Sequence, residues 1–316
     1  MSFHQRLQDV WQTQNSLVCV GIDPELEKLP AHLRAEKEPY LAFGIRIVDA
    51  TAPYVCAFKP QAAHFAAAGA EQQLAKLIGY IQDRYPLIPV ILDAKRGDVG
   101  STAKLYAKEA FERYGADAVT VNPYLGHESL APYLQYADRG VIVLCRTSNP
   151  GSDWIQGIQA GGKPLYLSVA QQVCEWDEND QCMLVTGATY PEEIGQVRAC
   201  VGAMPLLVPG IGAQGGEVEA VLQAGLDTNQ AGLCISSSRG IIYAGSGADF
   251  AERAAGAAKQ LRDHLHCQLI LDHLQDILQF SNYHYLQDMD QNIHFLCSEQ
   301  YLYLLSLIHL DLDRLI

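Results

Sequence analysis

None of the nine cysteines forms a Cys-x-x-Cys pair, and their spacing matches no zinc site. Cys19, Cys56, Cys145 and Cys234 fall inside apolar, strand-like runs, where a reduced thiol packs as a small hydrophobe. A disulfide scaffold and a structural metal are therefore not expected, and a reducing cytoplasm is the expected setting. Long apolar runs are missing too. None approaches the roughly 20 residues that cross a bilayer, and Met1-Ser2-Phe3-His4-Gln5-Arg6 begins an amphipathic helix instead of a signal peptide. Positive charge is scarce: 22 Lys and Arg face 36 Asp and Glu, for a formal net charge of -14. That balance weighs against nucleic acid or an anionic membrane as partner, while a small anion stays admissible wherever a few cations are placed locally.

What is present is a large core. The 316 residues are 49% hydrophobic and 18% charged, the profile of an ordinary globular protein. A helical pattern over Phe3 to about Gln14 precedes a buried strand, Leu17 to Ile22, that ends in Asp23. Further strands are expected at Tyr54–Pro60, Ile88–Leu92, Ala118–Pro123, Val141–Arg146, Met183–Gly187, Leu206–Gly210 and Gly232–Ile235. Helical stretches alternate with them, among them Pro39 to Thr51, Ala70 to Tyr85, Thr102 to Tyr114 with Gly115 as its stop, and Phe250 to about Leu265. Between Ser152 and Lys163 the chain reads as a polar, Gly-rich loop. Eight strand-helix units in a row predict an α/β protein of the parallel (β/α)8 TIM-barrel class, which takes about 250 residues, in preference to an open doubly wound sheet.

In such barrels the active site lies at the C-terminal strand ends. Those ends carry Asp23, Lys59, Asp93, Lys95, Asn122, Ser148, Gln214 and Arg239. The densest cluster is Asp93-Ala94-Lys95-Arg96-Gly97-Asp98-Val99-Gly100-Ser101-Thr102, which follows the apolar run Ile88-Pro89-Val90-Ile91-Leu92. Alternation along a strand puts Asp93 and Lys95 on one face. Charges at the end of a buried strand must be paired or functional, because desolvating an unpaired one is costly. An opposite pair at about 4 Å gains roughly 4 kcal/mol at an effective dielectric near 20. Lys59 and Lys95 beside Asp93 should therefore stay protonated, which suits stabilising and protonating a carbanion better than Schiff-base attack. After the seventh strand, Gly210-Ile211-Gly212-Ala213-Gln214-Gly215-Gly216 lets backbone approach a ligand ahead of a helix, and Arg239 follows the eighth. Together they predict a phosphate group at the place where barrels frequently bind one.

These segments resemble the orotidine 5′-phosphate decarboxylase family in its longer bacterial branch. Asp93-x-Lys95-x-x-Asp98 with nearby Thr102 is similar to the family signature. Gly21-Ile22-Asp23-Pro24, Phe58-Lys59-Pro60, Thr147-Ser148-Asn149, the glycine loop and Ser237-Ser238-Arg239-Gly240 also match, over about Phe3 to His266. The resemblance implies a homodimer that decarboxylates OMP to UMP and CO2, with no metal and no organic cofactor. It implies that Lys95 protonates C6, Asp93 lies against the substrate carboxylate, and Lys59 completes the network. Asp98 and Thr102 would reach the partner subunit's site. Asp23 would bind ribose, Ser148 the pyrimidine edge, and Gln214 and Arg239 the phosphate.

Two other classes compete with that expectation. A phosphosugar aldolase would need a desolvated, unpaired lysine, and an epimerase a metal or an acid pair. A nucleotide-binding barrel without catalysis would be expected to have lost Lys95 or Asp93. The chain is expected to divide into a barrel over residues 1–266 and an extension over 267–316. In that extension Gly and Pro vanish and Leu, His, Tyr and Gln rise. The resemblance does not reach the extension, which is expected to be poorly ordered or loosely packed and is given no function.

Overall fold

The computed structural model describes residues 1–211 and 218–280. The first unit of the chain, Met1–His266, holds the barrel. Its strands are β1 Val18–Ile22, β2 Ala57–Pro60, β3 Ile91–Arg96, β4 Ala118–Val121, β5 Gly140–Arg146, β6 Cys182–Thr186, β7 Leu206–Pro209 and β8 Leu233–Ser237. All pair in parallel, each beside its neighbour in sequence, and β8 pairs with β1. β2 and β3 meet through the bridges Phe58–Val90 and Gln61–Asp93, which leaves a nearly closed (β/α)8 ring. β1, β2, β4 and β6 are buried along their whole length, as expected of strands covered on both faces.

The base of the barrel is closed by the N-terminal helix Phe3–Gln14, whose capping box joins Ser2 and Gln5. Phe3 is fully buried against β5: a methyl added at Gly140 would lie 2.6 Å from its ring. Asp117, buried just before β4, accepts from the Val90 amide at 2.8 Å and from Arg6 at 2.7 Å. A carboxylate buried so deeply is tolerable because cations and an amide satisfy it. With the base sealed in this way, the opposite, C-terminal strand ends are left as the open face.

The structure departs from the sequence expectation in five places. Gly100–Lys108 is α-helical, but Glu109–Arg113 widens into a π turn before Gly115 ends it in the left-handed region, at φ +69°. Phe111 lies within that turn and is still buried, so the apolar stripe holds although it does not mark the change of helix type. The presumed loop after β5 contains a short helix, Asp153–Gln156, and a hairpin of Gln159–Ala160 with Lys163–Pro164. Short helices at Ala31–Arg34 and Ala62–Ala67 were also not expected. The last helix runs over Phe250–Phe280 and does not stop near Leu265, since no Gly or Pro interrupts it there. The expectations for Gln214 and for the extension beyond residue 280 lie outside the described residues. Among the described residues, no helix is long and apolar enough to cross a membrane.

Two glycine substitutions test this packing. Gly140→Ala should destabilise by about 1–3 kcal/mol, because neither Phe3 nor Ala118 can retreat from the new methyl. Gly256→Ala points into open space from a helix and should stabilise by about 0.5–1 kcal/mol. Urea unfolding of both variants reads the opposite signs directly.

Candidate active site

Lys59 on β2, Asp93 and Lys95 on β3, and Thr120 on β4 come together at the C-terminal end of neighbouring strands. The Lys59 ammonium donates to Asp93 Oδ2 at 2.7 Å, and the Lys95 ammonium to Asp93 Oδ1 at 2.6 Å. The Thr120 hydroxyl donates to the same Oδ1 at 2.8 Å. Lys59 and Asp93 are buried, whereas the Lys95 side chain is 47% exposed. One ammonium is therefore locked into the wall, and the other faces the open end of the barrel.

Burial opposes charge on both buried partners, and the ion pairing overrides it. The Asp93 carboxyl is held well below the usual carboxylate range, because Lys59 and then Lys95 outweigh its desolvation. Lys59 is likewise pushed above the usual lysine range: desolvation would lower it, but Asp93, with Asp23 behind it, prevails. Burial pushes the neighbouring Cys19 thiol up, so it remains neutral and offers no nucleophile.

The pairing of Asp93 with Lys95 does not come from simple alternation. Lys95 sits in the left-handed region at φ +48°, and the register of β3 on β4 slips between Leu92 and Arg96. The predicted contact is present, but a bulge delivers it. Thr120 was absent from the sequence expectation, because a threonine inside a β-branched run reads as ordinary strand composition. Its one distinguishing sign is a hydroxyl on the strand that also carries Asn122 to the open end.

The remaining candidates lie around the same end. Asp23 follows β1 with its Oδ1 buried and without a hydrogen-bond partner among the described residues, and Ser238 Oγ after β8 is in the same state. Such oxygens suit ligand hydroxyls. Ser148 is half-buried after β5, pressed so closely on Gly187 that a methyl there would lie 2.6 Å from the Ser148 nitrogen. Its loop is moored from below by Arg146, whose guanidinium donates to Glu193 at 2.5 Å and to Ser152 Oγ at 2.6 Å. Arg239 is exposed at the start of the helix Arg239–Ile242, two residues past β8. Asp98 is half-buried and accepts from the Val99 amide at 2.8 Å, and Thr102 is exposed on the following helix. Among the described residues, no hydrogen bond or ion pair joins either of them to the Asp93 array. Three potential metal ligands, His4, Asp177 and Asp180, gather within 4.8 Å, but beside the start of β6, at the other end of the barrel.

Comparison with known proteins agrees with this geometry. A family model described as "Orotidine 5'-phosphate decarboxylase / HUMPS family" matches residues 16–254. The orotidine 5′-phosphate decarboxylase of Janthinobacterium sp. (strain Marseille) is 56% identical over 264 residues, covering 83% of this chain and 97% of the relative. That of Bordetella avium is 57% identical over 266 residues, covering 83% and 98%. Among solved structures, the OMP decarboxylase of Leishmania donovani superposes with a TM-score of 0.74 at 36% identity, over 85% of this chain and 100% of that one. The matched span runs from before β1 to beyond β8 and includes the whole charged array, and the chain belongs to the orotidine 5′-phosphate decarboxylase / HUMPS family.

Proposed function

We propose that this chain decarboxylates orotidine 5′-phosphate to UMP and CO2, acting as a carbon–carbon lyase in pyrimidine synthesis. The observation that carries the reading is a carboxylate clamped between two ammoniums, one buried and one facing the open end. A substrate carboxylate brought next to Asp93 meets a fixed negative charge that the neutral CO2 does not feel. As the C6–carboxylate bond breaks, its electron pair stays on C6, and the cationic Lys95 is the nearest stabilising charge. A proton then passes from Lys95 Nζ to C6, which gives UMP, and solvent reprotonates the amine. The electron pair left on C6 is answered by the Lys95 ammonium and then by its proton, so the scheme draws on no organic cofactor as an electron sink. Asp23 is assigned to ribose, Ser148 to the pyrimidine edge, and Gln214 and Arg239 to the phosphate. The cytoplasm is the proposed setting, supported by Cys19, Cys56, Cys145, Cys182 and Cys234, buried without a disulfide.

A homodimer completes the reading. Val99 and Leu105 follow β3, Tyr124 and Leu125 follow β4, and Trp154 and Ile158 follow β5, all exposed and apolar at the same end as the site. A second copy laid there would bury them and bring Asp98 and Thr102 beside the partner's Lys95. The barrel over residues 1–266 is the proposed catalytic domain.

Three outcomes test these assignments. Purified protein given orotidine 5′-phosphate, with EDTA and no added cofactor, should lose substrate absorbance and release CO2. Lys95→Ala should slow that turnover by about 10²–10⁴-fold while UMP still binds; substantial remaining decarboxylation would remove Lys95 from its role. Mixed Lys95→Ala and Asp98→Ala subunits, each inactive alone, should regain about a quarter of parental activity, because half the dimers are mixed and each holds one intact site. No recovery would place Asp98 within its own subunit's site. The pH dependence of stability follows from the depressed Asp93 carboxyl. Its contribution is complete above the usual carboxylate value of about 4 and is lost as pH falls through the depressed one. Asp93→Asn should therefore cost about 3–5 kcal/mol of unfolding free energy near neutrality, with the gap to the parent narrowing below about pH 4.

A further inference from the structure

The hydrogen-bond count at Thr120 leaves no freedom. A threonine hydroxyl has one hydrogen and two lone pairs. The backbone N–H groups of Ala94 and Lys95 both donate to Thr120 Oγ1, each at 2.9 Å, and occupy the lone pairs. The single hydrogen is left for Asp93 Oδ1 at 2.8 Å. Every valence of this fully buried hydroxyl is spent on three consecutive residues of β3, and the direction of each bond is fixed. Asp93 Oδ1 has to be an acceptor, which is the state its two ammoniums also require.

The same three residues are where the sheet lets go. β3 pairs Leu92 with Val119 and then Arg96 with Val121, so residues 93–95 fill a space that β4 spans with Thr120 alone. The strand ladder therefore does not take up the Ala94 and Lys95 amides, and the Thr120 side chain accepts them in its place. At the centre of the bulge Lys95 holds φ +48°, a conformation that a side chain adopts only where its surroundings impose it. The outer part of Lys95 is half in solvent, unlike Lys59, so its ammonium is placed by the left-handed backbone and the bond to Asp93 and not by packing around the side chain.

We infer that Thr120 is a positioning residue for the proton donor, its hydroxyl holding the Lys95 backbone left-handed and turning the Asp93 carboxylate to face both lysines. The inference rests on the decarboxylase reading for its kinetic consequence, but its geometric content stands apart from it. Thr120→Val keeps the shape and removes the hydroxyl, Thr120→Ser restores it, and Thr120→Cys offers a weaker donor and acceptor.

With parental turnover established first, kcat should fall about 10- to 100-fold in Thr120→Val, with KM within about threefold of the parent. Thr120→Ser should stay within about threefold in kcat, and Thr120→Cys should lie between. A structure of Thr120→Val should show residue 95 out of the left-handed region and Lys95 Nζ drawn away from Asp93. Should Thr120→Val fail to fold, Thr120→Cys carries the same comparisons. Parental kcat in the hydroxyl-free variant, a change confined to KM, or a serine variant as slow as valine would each overturn the inference. So would an unmoved Lys95 in the variant structure, and that arm decides even if the parent shows no turnover, an outcome that would instead defeat the decarboxylase reading.

Discussion

Everything at the open end of this barrel depends on one buried carboxylate that cannot be left alone. Asp93 lies at the top of β3 with almost no access to water, and an ionised group there is tolerable only with partners on both oxygens. The fold supplies them from each side: Lys59 from β2 on Oδ2, Lys95 and Thr120 on Oδ1. β3 supplies Lys95 itself, but the partner on the other oxygen of the carboxylate and the hydroxyl come from the strands on either side of it. Closing β2 onto β3 through the Phe58–Val90 and Gln61–Asp93 bridges is what brings Lys59 within reach. Barrel closure and the charged array are thus one requirement seen twice.

The rest of the site follows the same division between rigid support and adaptable edge. Arg146, almost wholly buried and paired with Glu193, ties the end of β5 to the element after β6, and its bond to Ser152 pins the base of the loop that carries Ser148. Gly187 lets that loop pass closely, since any larger residue would strike the Ser148 backbone. Opposite, Asp23 and Ser238 hold buried oxygens without hydrogen-bond partners among the described residues, a cost a folded chain accepts where a ligand completes the set. The Asp93 charge is buried and bonded on both oxygens, whereas the buried oxygens of Asp23 and Ser238 are incomplete among the described residues.

Much of this was legible in the sequence, for definite reasons. Lys59, Asp93 and Lys95 interrupt apolar strand runs, and a charge in such a place stands out against base composition. The strand-helix alternation gave the barrel, because each strand is short and apolar and each helix has its stripe. What escaped were features that composition does not mark. Thr120 is invisible because β-branched residues are what a strand is expected to contain. The π turn at Glu109–Arg113 and the left-handed Lys95 depend on how one element meets another, and neither residue type announces them. Asp98 and Thr102 were legible as candidates only through the signature they share with a family; among the described residues no hydrogen bond or ion pair joins them to Asp93.

The electrostatics also decide between the kinds of chemistry a barrel lysine can perform. A lysine that attacks a carbonyl must be neutral at working pH, which requires burial without a counter-ion. Here the buried lysine has its counter-ion, and that pairing drives Lys59 further toward the cation. An amine so placed cannot serve as a nucleophile, but it holds Asp93 negative whatever the pH near neutrality. Lys95 then shares a carboxylate whose charge is already partly answered by Lys59 and by the Thr120 hydroxyl. Among the described residues its ammonium is held by one short bond to Asp93, and the side chain is 47% exposed. In the proposed reaction, an acid in that position follows charge developing on the substrate carbon and hands over its proton while Lys59 still holds Asp93. Two lysines on one aspartate are therefore not redundant: the first keeps Asp93 ionised, and in the proposed reaction the second is the acid.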